Sequence, residues 1–173
     1  GVNDITGLFS SANTAAFVHF AAQCPDGNKM DVLNFAAGEM EHLYNITPNT
    51  IFMNPVDSRI LASSKNTLAD FINPGTFLLP NSMGYQTIFG MKPVNAKDVT
   101  VDEYLVAAIA PQYMQLLFCG PVEILATDSH ASNFISDLVA IKIEAMVMLP
   151  IYNANALLKG TLTADLATIK GGI

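Results

Sequence analysis

A chain of 173 residues and 18.5 kDa is sized for one domain with its own hydrophobic core, and a multi-domain layout is not expected. Eight basic and fifteen acidic residues make up only 13% of the chain, against about 25% in an average soluble protein. Apolar residues reach 51% and the mean hydropathy is +0.36, so polar cover is too thin for a lone globule and a membrane or a partner should hide the excess. The net charge of −7, with Arg59 as the one arginine and the lysines scattered, excludes a basic face for nucleic acid.

The opening, residues 1–23, reads as loop and short extended pieces ending at the turn Cys24-Pro25-Asp26-Gly27-Asn28, and the Gly1 start reads as that of a fragment. From Met30 the pattern is helical. Met30, Leu33, Ala37, Met40 and Tyr44 form one stripe, Asp31, Asn34, Gly38, Glu41 and Asn45 the opposite one, and Asn28 can cap. Thr50-Ile51-Phe52-Met53 reads as a buried strand. Asn54-Pro55 then starts a helix to about Ser63, with Asp57 in its positive first turn. Residues 64–90 are turn-rich and read as an excursion with little regular structure, a kind of loop that is usually functional or mobile.

Strand-like pieces follow at 103–109, 115–119 and 122–126. From Leu138 to Ile151 the odd positions are apolar while Lys142 and Glu144 share the even face, which predicts one long strand. The window from Tyr104 to Ala126 is long enough to span a bilayer, but Pro111, Gln112, Gln115, Gly120, Pro121 and Glu123 break it, so no membrane helix is expected. Protein partners remain as the cover. Cys24 and Cys119 lack any metal or redox spacing and read as reduced, buried thiols of a cytoplasmic protein.

Little asks for chemistry. Glu39-x-x-His42 has the spacing of a carboxylate-bridged metal motif, but no second copy accompanies it, so the pair reads as part of a solvated helix face. His130, in Thr127-Asp128-Ser129-His130, reads as a turn, since triads are assembled from separated segments. Phosphate-binding glycine loops, nucleophile elbows and zinc motifs are absent from the sequence, and no cofactor, metal or catalytic residue is expected.

The order of the pieces resembles the C-terminal half of tailed-bacteriophage major capsid proteins, the Hong Kong 97 fold. Gly7-Leu8 is similar to the family's turn after its spine helix, and Ile51-Phe52-Met53-Asn54-Pro55-Val56-Asp57 to its strand, Asn-Pro and helix. Ile88-Phe89-Gly90-Met91-Lys92-Pro93-Val94 resembles a Gly-hydrophobic-Pro-Val strand. Asn133-Phe134 through Ile151-Tyr152 to Leu157-Leu158-Lys159-Gly160-Thr161 resembles the closing strand pair with its Lys-Gly-Thr ending. The signature residues are thus Asn54, Pro55, Asp57, Gly90, Pro93, Asn133, Phe134, Lys159 and Gly160.

The resemblance implies an α+β unit in which about 24–137 form an axial domain, 1–23 and 138–161 belong to a peripheral domain, and 162–173 are a tail. A β-ribbon ending near Lys159 should project from a central sheet flanked by helices. It also implies a structural shell protein of a phage or prophage virion, assembled in the host bacterial cytoplasm. Identical subunits would be its main partners, other virion proteins further ones, with no specific nucleic-acid recognition and no membrane. Self-cross-linking is not expected, because Asp137 and Ile143 stand where some members carry an acceptor Asn and a catalytic Glu. An encapsulin-like compartment shell is the alternative within the fold. A small α+β enzyme or ligand-binding domain using Glu39, His42 or His130 is the alternative of a different class.

Overall fold

The computed structural model describes residues 7–14, 17–64, 87–127 and 139–171. A one-turn helix α1 (Leu8–Ser11) and a short strand β1 (Asn13–Thr14) precede the main helix α2 (Lys29–Tyr44). Asn28 begins α2 as its pattern predicts: its Oδ1 accepts the N–H groups of Met30 and Asp31, while Asp31 reaches back to the Asn28 N–H at 2.8 Å. Asn45, in the left-handed region at φ 52°, ends it. The buried face is shifted from the stripe read from the sequence, with Val32, Ala36 and Glu39 joining Met30, Leu33 and Met40 while Ala37 and Tyr44 are half-buried, because α2 is covered by a strap of chain as well as by the sheet.

Strand β2 (Thr50–Met53) and helix α3 (Pro55–Ala62) follow. Asn54 Oδ1 caps Val56 N–H at 2.9 Å and Pro55 occupies the first helical position, where its missing N–H removes no bond. Strands β3 (Lys92–Asn95), β4 (Glu103–Ala107) and, much later, β9 (Leu157–Thr161) complete a five-stranded sheet in the order β1-β9-β4-β2-β3. β4 runs antiparallel to both neighbours, with Tyr104 opposite Met53 on one side and Gly160 on the other. β3 lies parallel to β2 at the edge, where Pro93, opposite Ile51, is tolerated.

The C-terminal stretch departs from the expected tail. Leu162–Lys170 form helix α4, which packs against α2 and β9 and buries Leu162 and Ile169; Gly171 closes it at φ 94°. Leu162, Leu166 and Ile169 recur at helical spacing, so the apolar face is paid back in core contacts. The core therefore has α2 and α4 against β4 and β9.

From this sheet a two-stranded ribbon leads outward. After Ala108 N–H bonds Ala156 C=O, the two legs meet again at Met114 and Ile151, then as β5 (Leu117–Phe118) with β8 (Val147–Met148), then as β6 (Glu123–Thr127) with β7 (Ala140–Glu144). The register shifts by one residue between the sheet and β5–β8, and by two more before β6–β7. The single long strand expected from 138 to 151 is thus two strands. The break faces Gly120-Pro121, where proline cannot donate to the ladder. The ribbon itself matches expectation, and its returning leg ends as β9 inside the central sheet.

Candidate assembly surface

Ribbon residues are apolar without being buried. No residue of β6 or β7 is buried, and Ile124, Ile141 and Ile143 are each about two-thirds exposed. The register sorts them: Ile124 and Ala126 share a face with Ile141 and Ile143, while Glu123, Leu125 and Thr127 share the other with Ala140, Lys142 and Glu144. An ion pair of 2.6 Å joins Lys142 to Glu144 on that second face. Val122 and Val139 flank the apolar face, and Phe118, Met146 and Met148 continue exposed apolar surface toward the sheet. A depression lined by Cys119, Gly120, Pro121, Glu123, Glu144, Ala145 and Met146 marks the junction of the two ribbon sections. Cys119 is exposed and Cys24 half-buried, both free, which corrects the expectation of two buried thiols; Cys119 lies beyond the sheet, on the β5–β8 section of the ribbon.

A second exposed apolar stripe lies on α3, where Val56 and Ile60 stand one turn apart, and Val101, in the turn before β4, is exposed as well.

Polar residues at the margin of the core hold the sheet to its helices. Asp102, just before β4, accepts Lys29 Nζ at 2.7 Å, Thr163 Oγ1 at 2.8 Å and Thr163 N–H at 3.2 Å, so it caps α4, which lacks a side-chain cap of its own. Its own N–H donates to the buried Asp57 at 2.7 Å. Burial works against the Asp102 carboxylate, yet the hydrogen bonds from Lys29 and Thr163 prevail and hold it below the usual range.

Across β4, the Tyr104 hydroxyl donates to Asp165 Oδ2 at 2.8 Å and Thr161 N–H donates to the same oxygen at 2.9 Å. Burial, then the neighbouring Asp165 charge, pushes Tyr104 well above 10, so it stays a neutral donor. Asp165 is raised above 3.8, by burial first and by the Asp102 charge, against the pull of its two donors. A raised carboxylate adds stability that is complete below about 3.8 and disappears as pH rises through the folded value. Asp165→Asn, whose amide oxygen can accept both bonds, is therefore expected to be at least as stable as the parent at neutral pH. Thermal unfolding at neutral pH and below pH 3.8 checks this: the variant's advantage should shrink in acid, and a loss larger at neutral pH than in acid would refute it.

The signature residues fall mostly on structural duties. Asn54 also donates its Nδ2 to Val99 C=O at 2.7 Å, and Gly90 at φ 81° follows Phe89 at φ 48° in the tight turn between Ile88 and Met91. Lys159 Nζ donates to Phe9 C=O at 2.9 Å, tying α1 to β9, and Gly160 lies under Tyr104. Asn133, Phe134, Asp137 and His130, with most of the 64–90 excursion, lie outside the described residues; Ile143 is on the exposed ribbon.

Glu39 corrects the expected solvated face. It is 1% exposed and accepts the His19 N–H at 2.9 Å, with His19 Nδ1 3.0 Å from its other oxygen; the His42 ring packs edge-on to His19 at 4.0 Å. The strap 17–27 crosses α2 there, and neither the helical pattern nor the Glu-x-x-His spacing signals a partner twenty residues upstream. Among the described residues, no three His, Cys, Asp or Glu side chains form a group that could hold a metal ion, and no helix is long and apolar enough to cross a membrane.

No protein-family model and no curated protein sequence matches the chain. Solved structures do. The capsid of an empty GTA particle matches with a TM-score of 0.65 and 12% identity, over 93% of this chain and 57% of that one. A chain of Gordonia phage Cozz matches at 0.62 and 12%, over 92% and 52%. A chain of the encapsulin complex from Synechococcus elongatus matches at 0.59 and 13%, over 90% and 56%. The fold is the Hong Kong 97 type, and the chain spans little more than half the length of these structures.

Proposed function

We propose that the chain is part of a shell subunit that assembles with identical copies into a closed, non-catalytic container, in the manner of a phage or prophage capsid. The observation that carries this reading is the Hong Kong 97-type core sheet prolonged into an apolar, exposed ribbon, in a chain with few charges to keep a lone copy soluble. The particle capsid among the similar structures supports it. The exposed Val56, Ile60 and Val101 are assigned to contacts with neighbouring copies, and other virion proteins are further partners. The domain division read from the sequence belongs to the same proposal; Asn13–Thr14 pair with Leu158–Lys159, but both strands lie in the central sheet with β4, so this pairing does not set the two segments apart from 24–137. No self-cross-link is assigned, since Ile143 supplies no acid.

Electron microscopy and sedimentation of the full-length protein test the reading. Closed shells, or rings of five and six subunits, are expected; a protein that stays monomeric at every concentration tried would defeat it. The likeness to an encapsulin chain favours a second reading as a cellular compartment shell. Nuclease-protected DNA inside purified particles distinguishes a packaged virion from that compartment.

A further inference from the structure

The one arginine of the chain stands in an unpartnered helix face. Val56, Arg59 and Ile60 fall at positions i, i+3 and i+4 of α3, and all three are exposed, Val56 and Ile60 by about half. Among the described residues no carboxylate forms an ion pair with the Arg59 guanidinium. The polar face of the ribbon carries the complementary arrangement. Its register sets Glu123 directly opposite Glu144, and like charges in that position cost a strand pair stability. Among the described strand pairs this is the one place where two acids face each other. Lys142 pairs with Glu144 alone, and Glu123 has no ion pair among the described residues. Beside the two acids, Pro121, Ala145 and Met146 give the depression at the ribbon junction an apolar wall.

The two surfaces belong to opposite ends of the central sheet. β2 starts at Thr50 opposite Ala107 and ends at Met53 opposite Tyr104, and α3 follows there, with Asp57 holding the Asp102 N–H; the ribbon leaves from the other end, beyond Ala107. They are thus placed to meet between copies rather than within one. We propose that the face of Val56, Arg59 and Ile60 on one copy docks on the ribbon junction of the next, with the guanidinium between Glu123 and Glu144 and the two apolar side chains against Pro121, Ala145 and Met146. A planar guanidinium has donors enough for two carboxylates at once, and it removes the repulsion that the register builds in. Because two different patches meet, the contact is head-to-tail, the type that repeats into rings. The contact rests on the reading of the chain as part of a shell subunit, and adds to it which two surfaces of the copies meet.

The test is a charge exchange in the full-length protein, with self-association followed by sedimentation. Arg59→Glu brings a third acid to the junction and Glu123→Arg brings a second cation, so each variant should associate at least about tenfold more weakly than the parent. Mixed together, the two variants offer each other opposite charges at every contact between unlike copies, and the mixture should associate as neither does alone. The double variant Arg59→Glu, Glu123→Arg should recover association in the same way. Hydrogen exchange of the unmodified protein gives a readout that does not depend on any variant folding: α3 and the β6–β7 ribbon should both exchange more slowly in assemblies than in single subunits, and unchanged exchange in either would overturn the proposal. A parent that associates while Arg59→Glu matches it, or a mixture no better than its parts, would overturn this contact and leave the shell reading standing. A parent that stays as single subunits at every concentration would overturn both.

Discussion

Gly160→Ala is expected to destabilise the protein more than any other single methyl addition at a described glycine. Gly160 sits in β9 directly opposite Tyr104, whose ring lies over the space a side chain would fill. An added Cβ would overlap Asp165 Oδ2 and come within 2.8 Å of the Tyr104 ring. Tyr104 is fully buried, and Asp165 is held by its two hydrogen bonds, so neither can retreat without leaving a donor unpaired. Overpacking costs about 1–3 kcal/mol and an unmade buried hydrogen bond about 1–3 more, which together put the loss at about 3 kcal/mol. Urea unfolding should show it as a lower midpoint. Gly120→Ala, where no atom lies within 4 Å, is the control, with a change under about 0.5 kcal/mol. Adding Tyr104→Phe to Gly160→Ala removes one of the clashing atoms, so the double variant should lose less than the sum of the singles. Strict additivity would place the damage elsewhere.

The elements that were legible in the sequence are those whose signal is local. The α2 pattern, the Asn28 cap and the Asn54-Pro55 junction follow from spacing and side-chain chemistry within a few residues, and each is present. So is the alternation that places Lys142 and Glu144 on one face, whereas the pairing of two legs into a ribbon was an expectation of the family likeness and not of the period. The break at Gly120-Pro121 was also written locally, but on the strand opposite the one whose periodicity was being read. Helix α4 carried a usable signal in Leu162, Leu166 and Ile169, with Gly171 at its end, which the likeness to a shorter family ending obscured. Glu39 was not legible, because a carboxylate on a helix looks solvated until a strap from upstream covers it. Asp102 was equally silent: a lone aspartate before a strand is ordinary turn chemistry, and only the packing of three helices around one corner gives it work.

At Asp102, three substitutions separate its tasks. The residue has φ 74°, a conformation that asparagine and glycine adopt far more readily than alanine. Its carboxylate caps α4 through Thr163 and receives Lys29, while its C=O accepts Leu162 N–H at 2.8 Å and its N–H is held by Asp57. Asp102→Asn keeps the backbone preference and an acceptor oxygen, losing mainly the partly exposed ion pair, so it should cost under about 1 kcal/mol. Asp102→Gly keeps the conformation but removes every side-chain bond; the lost cap and charged hydrogen bonds amount to about 2 kcal/mol. Asp102→Ala adds about 1 kcal/mol of left-handed strain to that, reaching about 3 kcal/mol, or roughly 6–12 °C in Tm for a domain of this size. The order Asn, Gly, Ala is the result to look for in thermal melts. Alanine no worse than glycine would remove strain from the account, and asparagine as damaging as alanine would show that the charge, not the hydrogen-bond geometry, holds the corner. Because the folded-state value of Asp102 lies below 3.8, the stability it adds is present above that pH and lost as pH falls through the folded value. The gap between the parent and Asp102→Asn should therefore close in acid, whereas that between Asp102→Gly and Asp102→Ala, which rests on backbone conformation alone, should not change with pH.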